Sequence, residues 1–541
     1  MGTISPRPRQ LLLAVLVTLA SVAAACASGG STTTAATSST VDPFTGDGSP
    51  TTGGRIVWGL EAETDDLNPI TGRFALSGHM VASAIYDSLA ALDDQGNAVP
   101  FLAEAIEPDD DFTTWRITLR PGIVFHDGSP LDAQAVAAVL RNYTESIMTS
   151  RALQDVRSVE VTGPLEVTVT TRQPWATFPY LLTTQAGYVP GPSMVRDPLS
   201  TPIGTGPFTF QDRVMGQYVR LRRNPDYWRK DAAGRPLPYL DGIEFRPLPD
   251  AQTRADQLVD GTLDAIDTAS PGDIVRLRTT PGVKLLTYSD GEERLIMLNS
   301  GRPPFDHPTA RLAVAAATDV ARVREEAGYG IAVPTESLWA PGQLGYREDS
   351  GYPGYDPERA RQLVKQYERE TGQPLAFTYS ADQAYVAQVQ QLLKEMWEAA
   401  GMQVEVRTLS QGDLVIHAAL GQYQASDWRF FGGADPDLEH VWLHSRNIDP
   451  SLVSLNFAQF GDPRIDAALD RGRATLDRQV RDEAYAEVAR VLNENTPYIW
   501  IERVTWAIAS RDEVYGYGPA RNGSIQSLGP KPWIAELWKR S

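Results

Sequence analysis

Cysteine is nearly absent from this chain of 541 residues, because Cys26 is the only one. A single cysteine forms no intramolecular disulfide and cannot build a cysteine-ligated metal cluster. Hydrophobic residues make up 42% of the chain and charged residues 22%, which is the composition of a globular protein. Stability is therefore expected to come from ordinary hydrophobic cores, which a chain of this length can bury in quantity.

Positive charge is also scarce. The chain contains 49 lysines and arginines and 68 acidic residues, so its formal net charge is −19. Such a chain lacks the basic surface of a nucleic-acid-binding protein, and it has no polybasic segment to bind anionic lipid. The glycine-rich phosphate loops and the Gly-x-Ser-x-Gly nucleophile motif are missing as well. No catalytic centre is therefore predicted from motifs.

The N-terminus has the pattern of an export signal. Arg7 and Arg9 precede an apolar run at 11–20, and small residues then lead to Cys26. The run is too short to span a bilayer comfortably. The pattern resembles a bacterial lipoprotein signal, although Ala23 replaces the usual leucine. We expect a signal peptide at 1–25 and lipid attachment at Cys26; the alternative is a secreted protein with an idle cysteine.

Residues 26–53 contain Cys26 followed by a segment dominated by Ser, Thr, Ala, Gly and Pro. This composition buries too little apolar surface to fold. A flexible coil of this length spans about 30 Å. The segment is therefore predicted to be a linker that separates a folded body from the membrane surface.

The remaining sequence predicts a mixed α/β fold. An apolar run at 55–60 predicts a buried strand, and alternating residues at 115–119 and 165–171 predict half-buried strands. Asp132 is a suitable cap for a helix that follows it, and Asp356 with Pro357 is typical of another helix start. Between 375 and 406 a strand, a long helix and a second strand follow one another, which predicts a βαβ unit with parallel strands.

Two histidines have a spacing that can chelate a metal. His440 and His444 are four residues apart, and Asp435, Asp437 and Glu439 lie just upstream. The zinc-protease motif requires a glutamate directly after the first histidine, and valine occupies that position. We therefore predict no metal site and no cofactor, and interpret the pair as packed or solvated histidines on a helix.

Aromatic residues cluster before an acidic, glycine-rich loop at 428–437. Trp428 and Phe430 precede Gly432, and Asp435 follows. Aromatic rings beside flexible backbone and a few polar groups are typical of a ligand pocket. The alternative is a core strand that runs into a turn.

Several segments together resemble solute-binding protein family 5, the extracytoplasmic component of dipeptide, oligopeptide and nickel ABC importers. The similarity extends over nearly all of residues 54–541. The segments that carry it are Asp66-Leu67-Asn68-Pro69, the run from Trp115 to Ala133, Gly204-Thr205-Gly206-Pro207-Phe208, Asn224-Pro225-Asp226-Tyr227-Trp228, Pro303-Pro304-Phe305-Asp306, Tyr355-Asp356-Pro357 and Asp435-Pro436. Each is weak alone, but their number, order and spacing make the resemblance strong.

The resemblance implies a two-lobed, periplasmic-binding-protein-like fold with a hinge and an extra subdomain. Lobe I would combine 54–97, 198–297 and 498–541; the inserted subdomain would be 98–197; lobe II would be 298–497. Ligand would bind between the lobes, and hinge closure would bury it. The protein would be a lipid-anchored monomer that delivers its ligand to a membrane permease and catalyses nothing.

One position departs from the peptide-binding members of the family. There an aspartate three residues before the acidic-Pro pair holds the ligand ammonium, and here that position is Gly432. Asp435 or Asp437 could substitute for it, but their position favours turn and capping roles. The predicted ligand-binding residues are Trp428, Phe430, Gly432 and Asp435. An oligopeptide or related bulky solute is the expected ligand. The alternatives are a sugar or haem, a regulatory protein without transport, and a secreted metal-dependent enzyme.

Overall fold

The computed structural model describes residues 44, 46, 50–64, 66–93, 95–146, 149–289, 291–382, 387–449, 453–517 and 534–540. Cys26 and most of the predicted linker lie outside the described residues, so the lipid anchor stays a prediction. Within the described residues the chain is mixed α/β, as the sequence predicts.

Strands and helices are interspersed along the chain. The strands are β1 (Arg55–Leu60), β2 (Ala90–Leu92), β3 (Ala98–Pro100), β4 (Ala103–Pro108), β5 (Thr114–Leu119), β6 (Val156–Gly163), β7 (Glu166–Thr171), β8 (Phe208–Val214), β9 (Tyr218–Arg223), β10 (Gly242–Pro247), β11 (Ala265–Thr268), β12 (Val283–Tyr288), β13 (Glu292–Leu298), β14 (Ala376–Asp382), β15 (Gln403–Leu409), β16 (Ala425–Phe431), β17 (Tyr498–Arg503), β18 (Trp506–Arg511), β19 (Val514–Tyr515) and β20 (Trp538–Lys539). The helices are α1 (Leu76–Ile85), α2 (Ala133–Glu145), α3 (Phe178–Leu181), α4 (Pro192–Arg196), α5 (Ala251–Val259), α6 (Pro271–Arg278), α7 (Pro308–Ala317), α8 (Val320–Ala327), α9 (Pro357–Thr371), α10 (Ala387–Ala399), α11 (Gln411–Ala419), α12 (His440–Leu443), α13 (Pro463–Arg473) and α14 (Arg478–Asn495).

Two large sheets organise the two lobes. A seven-stranded sheet in the order β12-β18-β11-β1-β10-β9-β8 forms lobe I, with β1 central and parallel to β10 and β11. A five-stranded sheet in the order β15-β14-β16-β13-β17 forms lobe II. The predicted βαβ unit is present there, because β14 and β15 are parallel neighbours joined through α10.

The inserted subdomain is built on an antiparallel four-stranded sheet in the order β4-β5-β7-β6. Helix α2 packs on β6 and β7. Asp132 caps this helix as expected, because its Oδ1 accepts a hydrogen bond of 2.9 Å from the backbone N–H of Ala135. Apolar residues of the strands and of α2 share one core, including Trp115, Ile117 and Tyr143.

The chain crosses between the two large sheets twice. The first crossing lies between Tyr288 and Glu292, and the second between Arg503 and Trp506. The sequence placed these boundaries at 297/298 and 497/498, which assigns β13 and the residues of β17 to lobe I. Instead, β13 pairs with β16 and β17 in the lobe II sheet.

The position of β13 follows from its two apolar faces. Leu295 and Met297 enter one lobe II core, whereas Ile296 and Leu298 enter another. A strand that is apolar on both faces is stable only inside a sheet covered on both sides. This requirement explains why β13 is an interior strand, with β16 on one side and β17 on the other.

Among the described residues, no helix has both the length and the apolar character needed to span a membrane.

Candidate ligand-binding site beside strand β16

Strand β16 ends in a loop at 432–439 that folds back toward its own backbone. The N–H of Gly432 donates to the carbonyl of Gly291 at 2.8 Å. The N–H of Gly433 donates to Oε1 of Glu439 at 3.0 Å. A Cβ on residue 433 would lie 2.7 Å from Cβ of Leu438, so glycine is needed there for close approach. These contacts fix loop 432–439 in a compact turn.

A cavity of about 340 Å³ lies against this loop. Residues of lobe II and the inserted subdomain contribute to its wall, together with the turn between β2 and β3. The lining residues are Gln95, Gly96, Asn97, Tyr180, Leu338, Trp339, Gly342, Gln343, Leu344, Gly432, Gly433, Ala434, Asp435, Pro436, Glu439, Leu476, Arg478 and Arg481. A volume near 300 Å³ is at the small end of small-molecule sites.

The four predicted ligand-binding residues divide into two groups. Gly432 and Asp435 line the cavity, and Trp428 and Phe430 do not. The Trp428 ring packs edge-on against Phe457 at 5.0 Å, and Phe430 packs against Tyr498 at 5.8 Å. Both rings belong to a lobe II core or pack against it. A role in binding for these residues stays a prediction.

Asp435 forms an ion pair inside the cavity wall. Its Oδ1 accepts hydrogen bonds from Nη2 of Arg481 at 2.5 Å and from the N–H of Asp437 at 2.9 Å. Burial raises the pKa of Asp435, and the Arg481 charge opposes that rise. The carboxylate is thus engaged with lobe II, and the Arg481 charge beside it is compensated.

Glu439 also lines the cavity, but among the residues that the structure describes its carboxyl has no ion pair of the kind that Asp435 forms with Arg481. Its side chain is buried, Oε1 accepts from Gly433, and Oε2 has no hydrogen-bond partner within the described residues. Burial, followed by the negative charge of Glu293, raises the pKa of Glu439 well above its usual value. Burial therefore favours the protonated form of Glu439 when no cation lies beside it.

A polar network connects the inserted subdomain with lobe II. Oδ2 of Asp437 accepts hydrogen bonds from Nε1 of Trp175 at 2.8 Å and from Oγ1 of Thr177 at 2.7 Å. Its Oδ1 accepts from Nε of Arg473 at 2.7 Å. Although burial alone would raise the pKa of Asp437, the Arg473 charge holds it below its usual value.

Asp155 forms the second half of this network. It lies in the inserted subdomain, where its Oδ1 accepts from Nη1 of Arg446 and its Oδ2 accepts from Nη1 of Arg473, both at 3.0 Å. Burial opposes ionisation of Asp155, but the two arginines lower its pKa. The Asp155–Asp437 network, which comprises these two acids with Trp175, Thr177, Arg446 and Arg473, holds the subdomain against lobe II.

Another ion pair links the lobes near the chain crossings. Arg429 on β16 places Nη1 3.2 Å from Oε1 of Glu292 and Nη2 3.8 Å from Oε1 of Glu61. Glu61 follows β1 of lobe I directly, and Oε2 of Glu292 also accepts from Nε1 of Trp506 at 2.9 Å. Charged groups of both lobes thus meet at the predicted hinge.

The histidine pair brackets the single helical turn α12, which begins at His440 and is followed directly by His444. The rings of His440 and His444 are 4.7 Å apart, and Nε2 of His440 lies 3.2 Å from Oδ1 of Asp470. These three residues are close enough to share one ion. Burial lowers the pKa of His440 to about 4, so this ring is neutral at neutral pH. The cationic neighbours Arg446 and Arg473 disfavour a bound cation here.

Sequence reasoning missed the roles of Glu439 and Asp437. Both follow Asp435 closely, but their sequence position gives only turn and capping signals. Asp437 bonds to Trp175, which is 262 residues away. Only the closeness of Glu439 to the Asp435-Pro436 pair could have drawn attention to it.

Comparisons with known proteins agree with this architecture. The family model described as bacterial extracellular solute-binding proteins, family 5 Middle, matches residues 97–447. The glutathione-binding protein GsiB of Salmonella paratyphi A is 26% identical over 459 residues, which cover 82% of this chain and 88% of GsiB.

Solved structures support the two-lobed fold. The periplasmic binding protein DppA of Helicobacter pylori, in complex with the peptide STSA, has a TM-score of 0.80 at 18% identity and covers 91% of this chain and 99% of its own. AgaA of A. tumefaciens R10, in complex with agropinic acid, has a TM-score of 0.80 at 23% identity. The match covers 90% of this chain and 99% of the AgaA chain. The relatives are binding proteins rather than enzymes. The chain belongs to family 5 of the bacterial extracellular solute-binding proteins.

Proposed function

We propose that this protein is the substrate-binding lipoprotein of an ABC importer and captures oligopeptides, or a related bulky solute, between its lobes. The observation that carries the proposal is the cavity beside loop 432–439, which is lined by residues of lobe II, by Tyr180 of the inserted subdomain and by the turn between β2 and β3. A site walled by separate bodies can open and close around its ligand.

The ligands named for several similar proteins favour a peptide as the ligand of this protein. DppA of Helicobacter pylori is described with a peptide, AppA of Bacillus subtilis is described with a nonapeptide, and GsiB is named for glutathione. Peptides can be held through main-chain hydrogen bonds with few demands on their side chains. The amide side chains of Gln95, Asn97 and Gln343 add polar groups to the cavity wall. The N–H groups of Gly432 and Gly433 are already bonded within the protein.

The Asp155–Asp437 network supports a closing motion. Its hydrogen bonds join the inserted subdomain to lobe II and would break if these bodies separated. Closure would then bury the ligand in the cavity, and the closed form would dock on a membrane permease. No step of this cycle requires catalysis by the protein.

Cys26 would carry the membrane anchor in this proposal. Cleavage before Cys26 would leave a lipid-modified N-terminus on the outer face of the cytoplasmic membrane. A monomer on a tether of about 30 Å would diffuse close to its permease. We expect Cys26→Ser to release the protein from the membrane fraction, whereas retention in that fraction would contradict the anchor.

Native mass spectrometry of the protein purified from its own host tests the nature of the ligand. A ladder of co-purifying peptides is the expected result. A single bound glycan or haem would contradict the peptide assignment and favour one of the two alternatives that share the same fold.

A further inference from the structure

A buried carboxyl oxygen without a partner is costly unless something else satisfies it. Oε2 of Glu439 is such an atom within the described residues, and Glu439 is one of the residues that line the cavity. The residue is only 1% exposed. Its other oxygen is held by the N–H of Gly433, which fixes the carboxyl at the base of loop 432–439.

The remaining acids near the loop already have cationic partners. Asp435 is bonded to Arg481, and Asp437 is bonded to Arg473 as well as to Trp175 and Thr177. A ligand cation would have to displace these arginines to reach either aspartate. Glu439 has no such competitor within the described residues.

The cavity also offers aromatic surfaces for a cation. Tyr180 and Trp339 both line it, and aromatic rings attract an ammonium group electrostatically. Of the two arginines in the lining, Arg481 is paired with Asp435. The other, Arg478, is exposed to water, which screens its charge.

We propose that Glu439 is the ligand-binding carboxylate of this site and pairs with a primary ammonium group, such as the free amino terminus of a peptide. The inference rests on the proposed function and makes it more specific. Gly432 itself has no carboxylate to pair with an ammonium group. The inference assigns that pairing to Glu439, seven residues later in the chain. Glu439 acts in binding only.

Pairing would change the protonation of Glu439. In the empty cavity its pKa is raised by burial and by Glu293 of β13, while Tyr498 of β17 also lies within electrostatic range. Glu293 is itself paired with Arg503. An arriving ammonium would stabilise the ionised form of Glu439, so ligand binding would be accompanied by proton release from Glu439.

The primary experiment uses two synthetic mixtures of random tetrapeptides, one with free amino termini and one acetylated. Each is incubated with the dialysed mature protein, and the retained peptides are quantified by mass spectrometry. We expect retention of free peptides and about ten- to one-hundredfold less retention of acetylated ones, as suits a charge-assisted bond. Glu439→Gln should reduce retention of free peptides similarly, because glutamine keeps an acceptor for Gly433 but carries no charge.

Two further variants separate charge from shape. Glu483→Gln removes an exposed carboxyl from α14 and should bind like the unaltered protein. The double change Gly432→Asp with Glu439→Gln returns a carboxylate to the loop. A Cβ at 432 would lie 3.3 Å from the Gly291 carbonyl, so only a small shift is needed to accept it. Recovery of at least tenfold in retention would show that Glu439→Gln had removed a charge rather than damaged the fold.

The outcomes distinguish the two proposals. Equal retention of free and acetylated peptides, or full retention by Glu439→Gln, would overturn the role of Glu439 and leave peptide binding intact. Retention of neither mixture by the unaltered protein would overturn peptide binding, and the role of Glu439 with it. Calorimetry in buffers of different ionisation enthalpy provides an independent measure. Proton release by the unaltered protein that disappears in Glu439→Gln supports the inference, and identical release in both contradicts it.

Discussion

Replacement of Asp155 by asparagine should weaken the contact between the inserted subdomain and lobe II. The side-chain hydrogen bonds of Asp155 run to Arg446 and Arg473 across that contact. When the bodies separate, water can solvate all three groups. The substitution therefore acts mainly on the equilibrium between the separated and contacting states rather than on global unfolding.

The expected magnitude follows from the geometry. A hydrogen bond to a charged group contributes about 1.5–3 kcal/mol, and Asp155 makes such bonds to two arginines. Asparagine keeps one acceptor oxygen, and the Arg446 side chain is 30% exposed, which reduces its share. A net loss of about 2 kcal/mol remains. At about 1.4 kcal/mol per factor of ten, the contacting state should become about 30-fold less populated relative to the separated state.

Distance measurements between spin labels would detect this shift. Cysteines at Glu160 in the inserted subdomain and Glu368 on α9 provide exposed attachment points, in a chain that also carries Cys26→Ser. Asp155→Asn should broaden and lengthen the distance distribution. Asp110→Asn, an exposed change in the same subdomain, is the control. Identical distributions for Asp155→Asn and the control would refute the assignment of the network as a contact that stabilises closure.

Three further results are expected. Trp428→Ala should lower the free energy of unfolding by about 2–3 kcal/mol, because the ring is partly buried against a lobe II core. Denaturant titration measures this loss. An unchanged unfolding midpoint together with tenfold weaker ligand binding would instead assign Trp428 to the binding site. Gly433→Ala should disorder loop 432–439 and weaken ligand binding more than Gly432→Ala, because a Cβ at position 433 would collide with Leu438. Equal binding affinities of the two variants in calorimetry would contradict this prediction. The folded-state pKa values of Asp155 and Asp437 lie below the usual 3.8, so their stabilising contribution is complete above pH about 4 and is lost as the pH falls through the folded values. As the pH falls below about 4, the spin-label distances should therefore lengthen more in the unaltered protein than in Asp155→Asn. Parallel changes in the two proteins would contradict this pH dependence.

Local patterns were sufficient to predict most individual elements. Alternation predicted β5 and β7, and capping residues predicted the starts of α2 and α9, because these signals depend on a few neighbouring residues. The positions of β13 and β17 could not be predicted equally well. Strand membership in a sheet depends on partners that are distant in sequence, and the apolar pattern of β13 suits a buried strand of either lobe.

The candidate site was predictable only in part. Gly432 and Asp435 were predicted from the motif around Asp435-Pro436, and both line the cavity. Trp428 and Phe430 were predicted from composition, but the alternation of β16 turns both toward a lobe II core. Glu439 was missed because its burial depends on how loop 432–439 folds back against the rest of lobe II.

Photocrosslinking from inside the cavity tests the central claim most directly. Benzoylphenylalanine in place of Tyr180 puts a reactive ring in the cavity wall, and the same substitution at Tyr355, which is 50% exposed, is the control. After irradiation in the host, we predict adducts whose masses correspond to peptides at position 180 and none at position 355. No adduct at position 180, or an adduct of a glycan or haem, would contradict the claim that this cavity binds peptides.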